Sequence, residues 1–168
     1  MATDGRVAVA SRLLGAVSLW LVGVIHLKEY LDLYSVIPTI GTLFLLSFVG
    51  ATAVALGLLT PVERVSGRLA GLVVTALALA GIAQATTQFV FLAISEQRPL
   101  FGFQEPGYDP TAILEARITE VATVALLTTF LVARALRLRR MVEATVQSAR
   151  PPRAAHGDAM TDRLPWPR

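Results

Sequence analysis

The chain has 168 residues, of which 54% are hydrophobic and 16% charged, with a formal net charge of +3 and a mean hydropathy of +0.61. A soluble domain carries about 25% charged residues, so the composition excludes an ordinary soluble fold and predicts a polytopic helical membrane protein. Because the chain contains no cysteine, disulfides, thiolate metal ligands and cysteine nucleophiles are excluded as well.

Four apolar blocks account for the high hydropathy. They cover residues of about 9–28, 39–60, 69–94 and 112–134. Each block can cross a hydrocarbon core about 30 Å thick, which takes about 20 helical residues. Lipid offers no hydrogen bonds to the backbone, so each block is predicted to be a helix. Short connections predict an all-α, up-down bundle of four transmembrane helices within residues 1–140. Residues 141–168 are rich in Pro and Arg and are predicted to form a disordered cytoplasmic tail.

The first block ends in HLKEY, which holds His26, Glu29 and Tyr30. No small-residue cleavage site follows, so we interpret the block as a retained helix and not a signal peptide. His26 and Glu29 have the i, i+3 spacing of metal ligands in helical bundles, but a di-iron site needs two such pairs. With a single histidine in the four blocks, no metal site is predicted, and a haem with two histidine ligands would require a dimer.

The third block carries Gln84 and Gln88 on one helix face, and the fourth carries Glu115, Arg117 and Glu120. Arg134 marks the inner boundary of the membrane on the fourth block, and Glu120 stands 14 residues before it.

His26 stands 14 residues after Arg12, at the same boundary. A helix rises about 1.5 Å per residue, so His26 and Glu120 should lie at the same depth, about 21 Å from the inner boundary of the membrane. Two readings of Glu120 stay open. It forms an ion pair with Arg117 one turn away, or it meets His26 as a proton-coupled pair.

These polar groups predict a layer near the outer face of the membrane. His26 and Glu120 are the candidate cofactor-binding residues, and the candidate ligand-binding residues are Glu29, Tyr30, Gln84, Gln88, Glu115 and Arg117. The outer connection, residues 95–111, is long for a bundle and contains three aromatic residues. It is interpreted either as a set of headgroup anchors or as a lid over the polar layer.

Arginines flank the blocks on one side only, before the first, between the second and third, and after the fourth. The opposite loops hold only Lys28 and Arg98, so both termini are predicted to be cytoplasmic in a bacterial plasma membrane. RALRLRR, 134–140, is interpreted as a topology anchor or as a patch for anionic lipids or a partner. Gly67 and Gly71 form a GxxxG pattern that indicates packing within the chain or a homo-oligomer. No nucleic-acid partner is predicted.

Two stretches carry a resemblance to known proteins. HLKEYLDLYSVIPTIGTLFLL, 26–46, resembles a group of small actinobacterial integral membrane proteins of unknown function. GLLTPVERVSG, 57–67, together with the four spans, is more loosely similar to DoxX-type membrane proteins. The second resemblance implies a link to quinone-coupled sulfur oxidation or redox defence. No catalytic motif carries over residue by residue.

The sequence therefore predicts a small integral membrane protein that binds a partner protein or a lipid-like molecule through the outer polar layer. A non-enzymatic role without a cofactor is favoured, because no nucleotide loop, hydrolase triad or zinc motif is present. The first alternative is a redox accessory subunit that uses a quinone or haem through His26 and Glu120. The second alternative is a small proton-coupled transporter, although no internal repeat or broken helix supports it.

Overall fold

The computed structural model describes residues 2–61 and 67–148, and this part of the chain is built from four long helices without any β-strand. The helices are α1 (Ala2–Asp32), α2 (Pro38–Leu59), α3 (Gly67–Ser95) and α4 (Pro110–Ser148), with a short 3₁₀ turn at Tyr34–Val36. All four helices are long enough and apolar enough to cross a membrane. The all-helical fold predicted from the sequence is confirmed, as are the four apolar helices.

Two helices run beyond the limits of their apolar blocks. α1 continues one turn past residue 28, which keeps Glu29 on the helix. α4 continues to Ser148, so the first eight residues of the predicted disordered tail are helical. Arg, Leu, Met, Glu and Ala make up most of residues 135–148, the part of α4 beyond its apolar block, and their helix propensity is high. The predicted turn around Arg64 and the tail from residue 149 lie outside the described residues.

The helices form a closed ring in which each packs on the next and α4 packs back on α1. At one end of the bundle Gly5 of α1 lies beside the guanidinium of Arg137, and at the other end Lys28 meets Asp109. These contacts show that α1 and α4 are antiparallel, and α1 and α4 form the most extensive of the helix pairs. The first and last helices therefore run in opposite directions, as an up-down bundle of four helices requires.

The half of the bundle that contains Arg134 and Arg137, which we call the arginine end, has a closely packed interior. Leu127 of α4 lies between two glycines there. A Cβ atom at Gly15 would lie 2.6 Å from Leu127 Cδ2, and one at Gly81 would lie 2.8 Å from Leu127 Cδ1. Small residues let helix backbones approach closely in lipid, where helices gain nothing from hydrophobic burial. Gly71 of the GxxxG pattern packs in the same way, against Arg134 of its own chain.

Candidate ligand-binding cavity

A cavity of about 140 Å³ opens inside the other half of the bundle, which we call the cavity end. All four helices, the 3₁₀ turn and the loop between α3 and α4 contribute to its wall. Most of the wall is apolar, with Ile25, Ile40, Leu43, Phe44, Phe91, Leu92, Leu100, Phe101, Phe103, Ala112, Ile113 and Ala116. An engineered apolar cavity of about 150 Å³ accepts a benzene molecule, so this one has room for a ring-sized group.

The deepest polar residue in the wall is Glu120, which is 1% exposed. It lies on the buried face of α4, one turn after Ala116 and one turn before Thr123. Glu120 Oε2 has no hydrogen-bond partner, and neither Nε2 nor Oε1 of the Gln88 side chain has one. Buried polar atoms are hydrogen-bonded in the large majority of cases, so three orphaned atoms around one cavity indicate a missing partner.

His26 lines the same cavity from α1, with its ring centroid 5.0 Å from that of Phe44. Its Nδ1 lies 2.8 Å from the carbonyl oxygen of Val22. A carbonyl only accepts, so Nδ1 carries the proton and Nε2 of the neutral ring is left as an acceptor. His26 and Glu120 therefore share a cavity wall, although no ion pair or hydrogen bond joins the two described side chains.

A hydrogen bond between Tyr34 and Glu105 closes one side of the cavity. The Tyr34 hydroxyl donates to Glu105 Oε2, while Oε1 accepts from the N–H groups of Gly107 at 2.9 Å and Tyr108 at 3.3 Å. Burial, followed by the hydrogen bond to Glu105 and its negative charge, raises the pKa of Tyr34 well above its ordinary value. The phenol therefore stays a donor, and the loop is tied to the 3₁₀ turn. We did not predict either residue, because 71 positions separate them in the chain.

The loop itself contains a tight two-residue turn at Leu100–Phe103. Leu100 and Phe103 exchange backbone hydrogen bonds of 2.7 and 3.0 Å. Phe101 and Gly102 between them have φ of 53° and 80°, the pattern of a type I′ turn. Positive φ is uncommon for a bulky residue such as phenylalanine. The turn places the Phe101 ring against Phe91, with centroids 5.7 Å apart, so the loop forms part of the cavity wall.

Charged groups fix the rim of the cavity. Asp109 Oδ1 accepts from the N–H groups of Thr111 at 3.0 Å and Ala112 at 2.9 Å, so Asp109 caps the N-terminus of α4. The N–H of Ala112 is the main cause of a lowered pKa of Asp109, with Lys28 and Thr111 contributing. Lys28 Nζ lies 2.8 Å from Glu29, 3.3 Å from Asp32 and 3.6 Å from Asp109. One cation is therefore shared among three carboxylates.

Half of the residues that the sequence nominated for the site lie in the cavity wall. These are His26, Glu29, Gln88 and Glu120. Gln84 shares a helix face with Gln88 but sits one turn further toward the arginine end. Its Nε2 donates to the carbonyl of Ser47 at 2.8 Å. It is therefore a contact between α3 and α2 and not a wall residue.

The other three nominated residues lie outside the cavity wall. Arg117 forms an ion pair with Glu96 at the end of α3, and so it does not neutralise Glu120 as one of the two sequence readings required. Glu115 is exposed on the surface of α4. Tyr30 packs beside Gly41 of α2. Each of these side chains faces a neighbouring helix or the outside of the bundle.

Within residues 2–61 and 67–148 no group of three or more His, Cys, Asp or Glu side chains is arranged to hold a metal ion. Searches with protein-family models, among curated proteins and among solved structures found no match to this chain.

Proposed function

We propose that the protein is a multi-pass protein of the bacterial plasma membrane that binds a lipid-like molecule in the cavity. The outer surface of the bundle supports the membrane part of this proposal. Large apolar side chains are exposed there on all four helices, among them Leu14, Leu46, Leu72 and Ile118. Only 17% of the most apolar window of α2 is buried inside the protein. A monomeric soluble protein rarely exposes apolar surface so extensively, and lipid would cover it.

The charges support an orientation with both termini in the cytoplasm. Arg134 and Arg137 lie at the end of the bundle where α1 begins and α4 leaves it. The cavity end carries the acids Glu29, Glu105 and Asp109 and faces outward in this arrangement. Proteolysis of inside-out and right-side-out vesicles that carry terminal tags tests the orientation. Protection of either terminus in inside-out vesicles contradicts it.

The observation that carries the binding proposal is Glu120, which is buried without a partner for Oε2 in a largely apolar cavity. A buried polar group without a hydrogen bond costs about 1–3 kcal/mol by mutational data. Gln88 adds two further orphaned atoms at the same place. A molecule with an apolar body and a polar head satisfies both features at once, and a bilayer supplies such molecules at high concentration.

Native mass spectrometry of the full chain in a mild detergent tests this proposal. The wild-type protein should retain a lipid-like mass. Ala116→Leu and Ser47→Leu add bulk from opposite walls of the cavity and should both lose that mass. Leu114→Phe adds bulk on the exposed face of α4 and serves as the matched control. If both filled variants keep the wild-type melting temperature and the bound mass, the ligand lies elsewhere and the proposal fails.

A quinone-linked redox accessory is the second candidate, because the cavity has room for one ring and offers the Gln88 amide and the His26 ring as polar partners. Haem fits poorly, since a porphyrin is much larger than a cavity of about 140 Å³. The same mass spectra and an absorption spectrum separate the candidates. A retained quinone that His26→Ala releases would favour the redox role over general lipid binding.

A further inference from the structure

We propose that the ligand of the cavity is a hydrophobic organic cation, with a positively charged nitrogen on an apolar body, and that Glu120 is its counter-charge. This inference rests on the proposed function and assigns the chemical class of the ligand. It follows from the charge of the wall, from the partners of each carboxylate, and from the aromatic rings around them.

The charge of the cavity wall is strongly one-sided. Four carboxylate residues line it, Glu29, Glu105, Asp109 and Glu120, and none of the described wall residues is Lys or Arg. The only nearby lysine, Lys28, lies at the rim and is shared among three carboxylates. A cleft with low-dielectric walls and one sign of charge concentrates ions of the opposite sign. An anionic ligand is therefore disfavoured here.

Three of the four carboxylates already have partners. Glu29 pairs with Lys28, Glu105 accepts from Tyr34 and two backbone N–H groups, and Asp109 caps α4.

Glu120 differs from these three carboxylates in its depth and in its lack of a partner. It is the deepest of them, it is 1% exposed, and its Oε2 accepts nothing. Arg117, one turn away on α4, is engaged by Glu96. An ionised carboxylate in such a position is costly unless a cation pairs with it. No described cation forms an ion pair with Glu120, and the charge of Arg117 acts on it only at longer range.

The apolar part of the wall shows that the cation is organic. An inorganic cation needs several oxygen ligands, and the described residues contain no suitable cluster of three. Aromatic rings instead surround the space, from Phe44, Phe91, Phe101 and Phe103. The face of an aromatic ring attracts a cation within about 6 Å of its centroid, and quaternary ammonium groups are recognised in this way. An amine or quaternary ammonium on an apolar body matches both the carboxylates of the wall and its aromatic residues.

A pair of probes with the same shape and different charge tests this inference. Phenyltrimethylammonium and tert-butylbenzene differ by the exchange of one positive nitrogen for carbon, and each contains a single ring. Binding is measured by equilibrium dialysis to the full-length protein in nanodiscs of neutral lipid. Empty nanodiscs correct for partition of the probes into the bilayer. The variants are Glu120→Gln, which removes the charge at constant size, and Glu115→Gln, which removes an exposed charge from the same helix.

We expect the wild-type protein to bind the cation at least about tenfold more tightly than its neutral isostere. Glu120→Gln should abolish that preference, while Glu115→Gln should keep it. Equal affinity for the two probes, or a preference that survives in a folded Glu120→Gln protein, overturns the inference but leaves lipid binding intact. Failure of both probes to bind also overturns it. The loss of retained lipid in the two cavity-filling variants tests the proposed function separately, so the two failures are distinguishable.

Discussion

The two halves of the bundle differ where they meet on one face of α4, because two buried polar side chains one turn apart have different surroundings there. Thr123, toward the arginine end, is fully buried and its hydroxyl lies 2.7 Å from the carbonyl of Thr119 and 3.0 Å from Ser18 Oγ. Glu120, three residues earlier, is equally buried and leaves Oε2 without a partner. The hydroxyl of Thr123 is thus satisfied inside the bundle, whereas the described residues leave Glu120 Oε2, which faces the cavity, without a hydrogen-bond partner.

Packing at the two ends differs in the same sense. At the arginine end Leu127 fills the space between glycines of α1 and α3, and a single added Cβ atom would overlap it. At the cavity end the side chains of four helices, the 3₁₀ turn and the loop between α3 and α4 leave a space open. Protein interiors are close-packed and voids of this size are few in a domain. The open space therefore distinguishes the cavity end from the closely packed arginine end.

The largest effect should come from truncation of the packed half. Leu127→Ala leaves a void between two glycine-bearing helices and should lower the free energy of unfolding by about 2–5 kcal/mol. Leu92→Ala removes the same atoms from the wall of an existing cavity and should cost clearly less. Denaturant unfolding of both variants in the same detergent measures the difference. Equal losses would show that the two halves are packed alike.

The next effect concerns the hydrogen bond that ties the loop to the 3₁₀ turn. Tyr34→Phe keeps the ring stacked on Phe44, at 4.6 Å between centroids, but removes the donor to buried Glu105. A hydrogen bond to a charged group contributes about 1.5–3 kcal/mol, so stability should fall by that amount at neutral pH. The variant should still fold, because the ring contacts remain.

The pH dependence of this hydrogen bond has a definite sign. The pKa of Tyr34 in the folded protein lies above its ordinary value of about 10. The stabilisation is therefore complete below about pH 10 and is lost as the pH rises toward the folded pKa. The stability difference between wild type and Tyr34→Phe should therefore stay constant, at about 1.5–3 kcal/mol, between about pH 6 and pH 9. A difference that already shrinks across that interval would show that the hydrogen bond is not formed.

A change of the opposite sign is expected at Glu120. Glu120→Gln removes a buried negative charge that forms no ion pair among the described residues, so the ligand-free protein should become more stable by about 1–3 kcal/mol. Glu105→Gln is the comparison, since that carboxylate is fully hydrogen-bonded and its loss should destabilise. A destabilised Glu120→Gln protein would mean that Glu120 has a partner within the bundle.

The sequence predicted those features that depend on local chemistry and on helix geometry. The four helices follow from composition, and the equal depth predicted for His26 and Glu120 follows from the constant rise per residue of a helix; both residues line the cavity. The partners that side chains find on other segments could not be predicted from the sequence. The hydrogen bond between Tyr34 and Glu105 depends on where the loop folds.

Gln84 and Arg117 show the same limit at the scale of one helical turn. Gln84 is one turn from Gln88 on the same face of α3, yet only Gln88 reaches the cavity. One of the two readings of the sequence pairs Arg117 with Glu120 through their i, i+3 spacing, but Arg117 pairs with Glu96, just after α3. The periodicity of a helix gives the face of a residue, whereas the neighbouring helix decides which group that face meets.

The smallest effect on stability should come from Phe101, where two terms oppose each other. Phe101→Asn places the preferred Asn-Gly pair in a type I′ turn and relieves the positive φ of 53°. It also removes the edge contact with Phe91, an interaction worth about 0.5–1.5 kcal/mol. The net change in stability should therefore be within about 1 kcal/mol, while retention of the bound molecule should decrease because one ring of the wall is lost.

Gly102→Ala separates the turn from the ring. Its φ is 80°, and no atom lies within 4 Å of the added Cβ, so any destabilisation arises from the backbone conformation alone. We expect a loss of about 1 kcal/mol with the bound molecule retained. A stable Gly102→Ala protein would place the turn in another conformation. A Phe101→Asn protein that keeps its ligand would show that the loop encloses the cavity end without contributing to recognition. Recognition would then depend on the helices alone, with Glu120 and Gln88 as its polar groups.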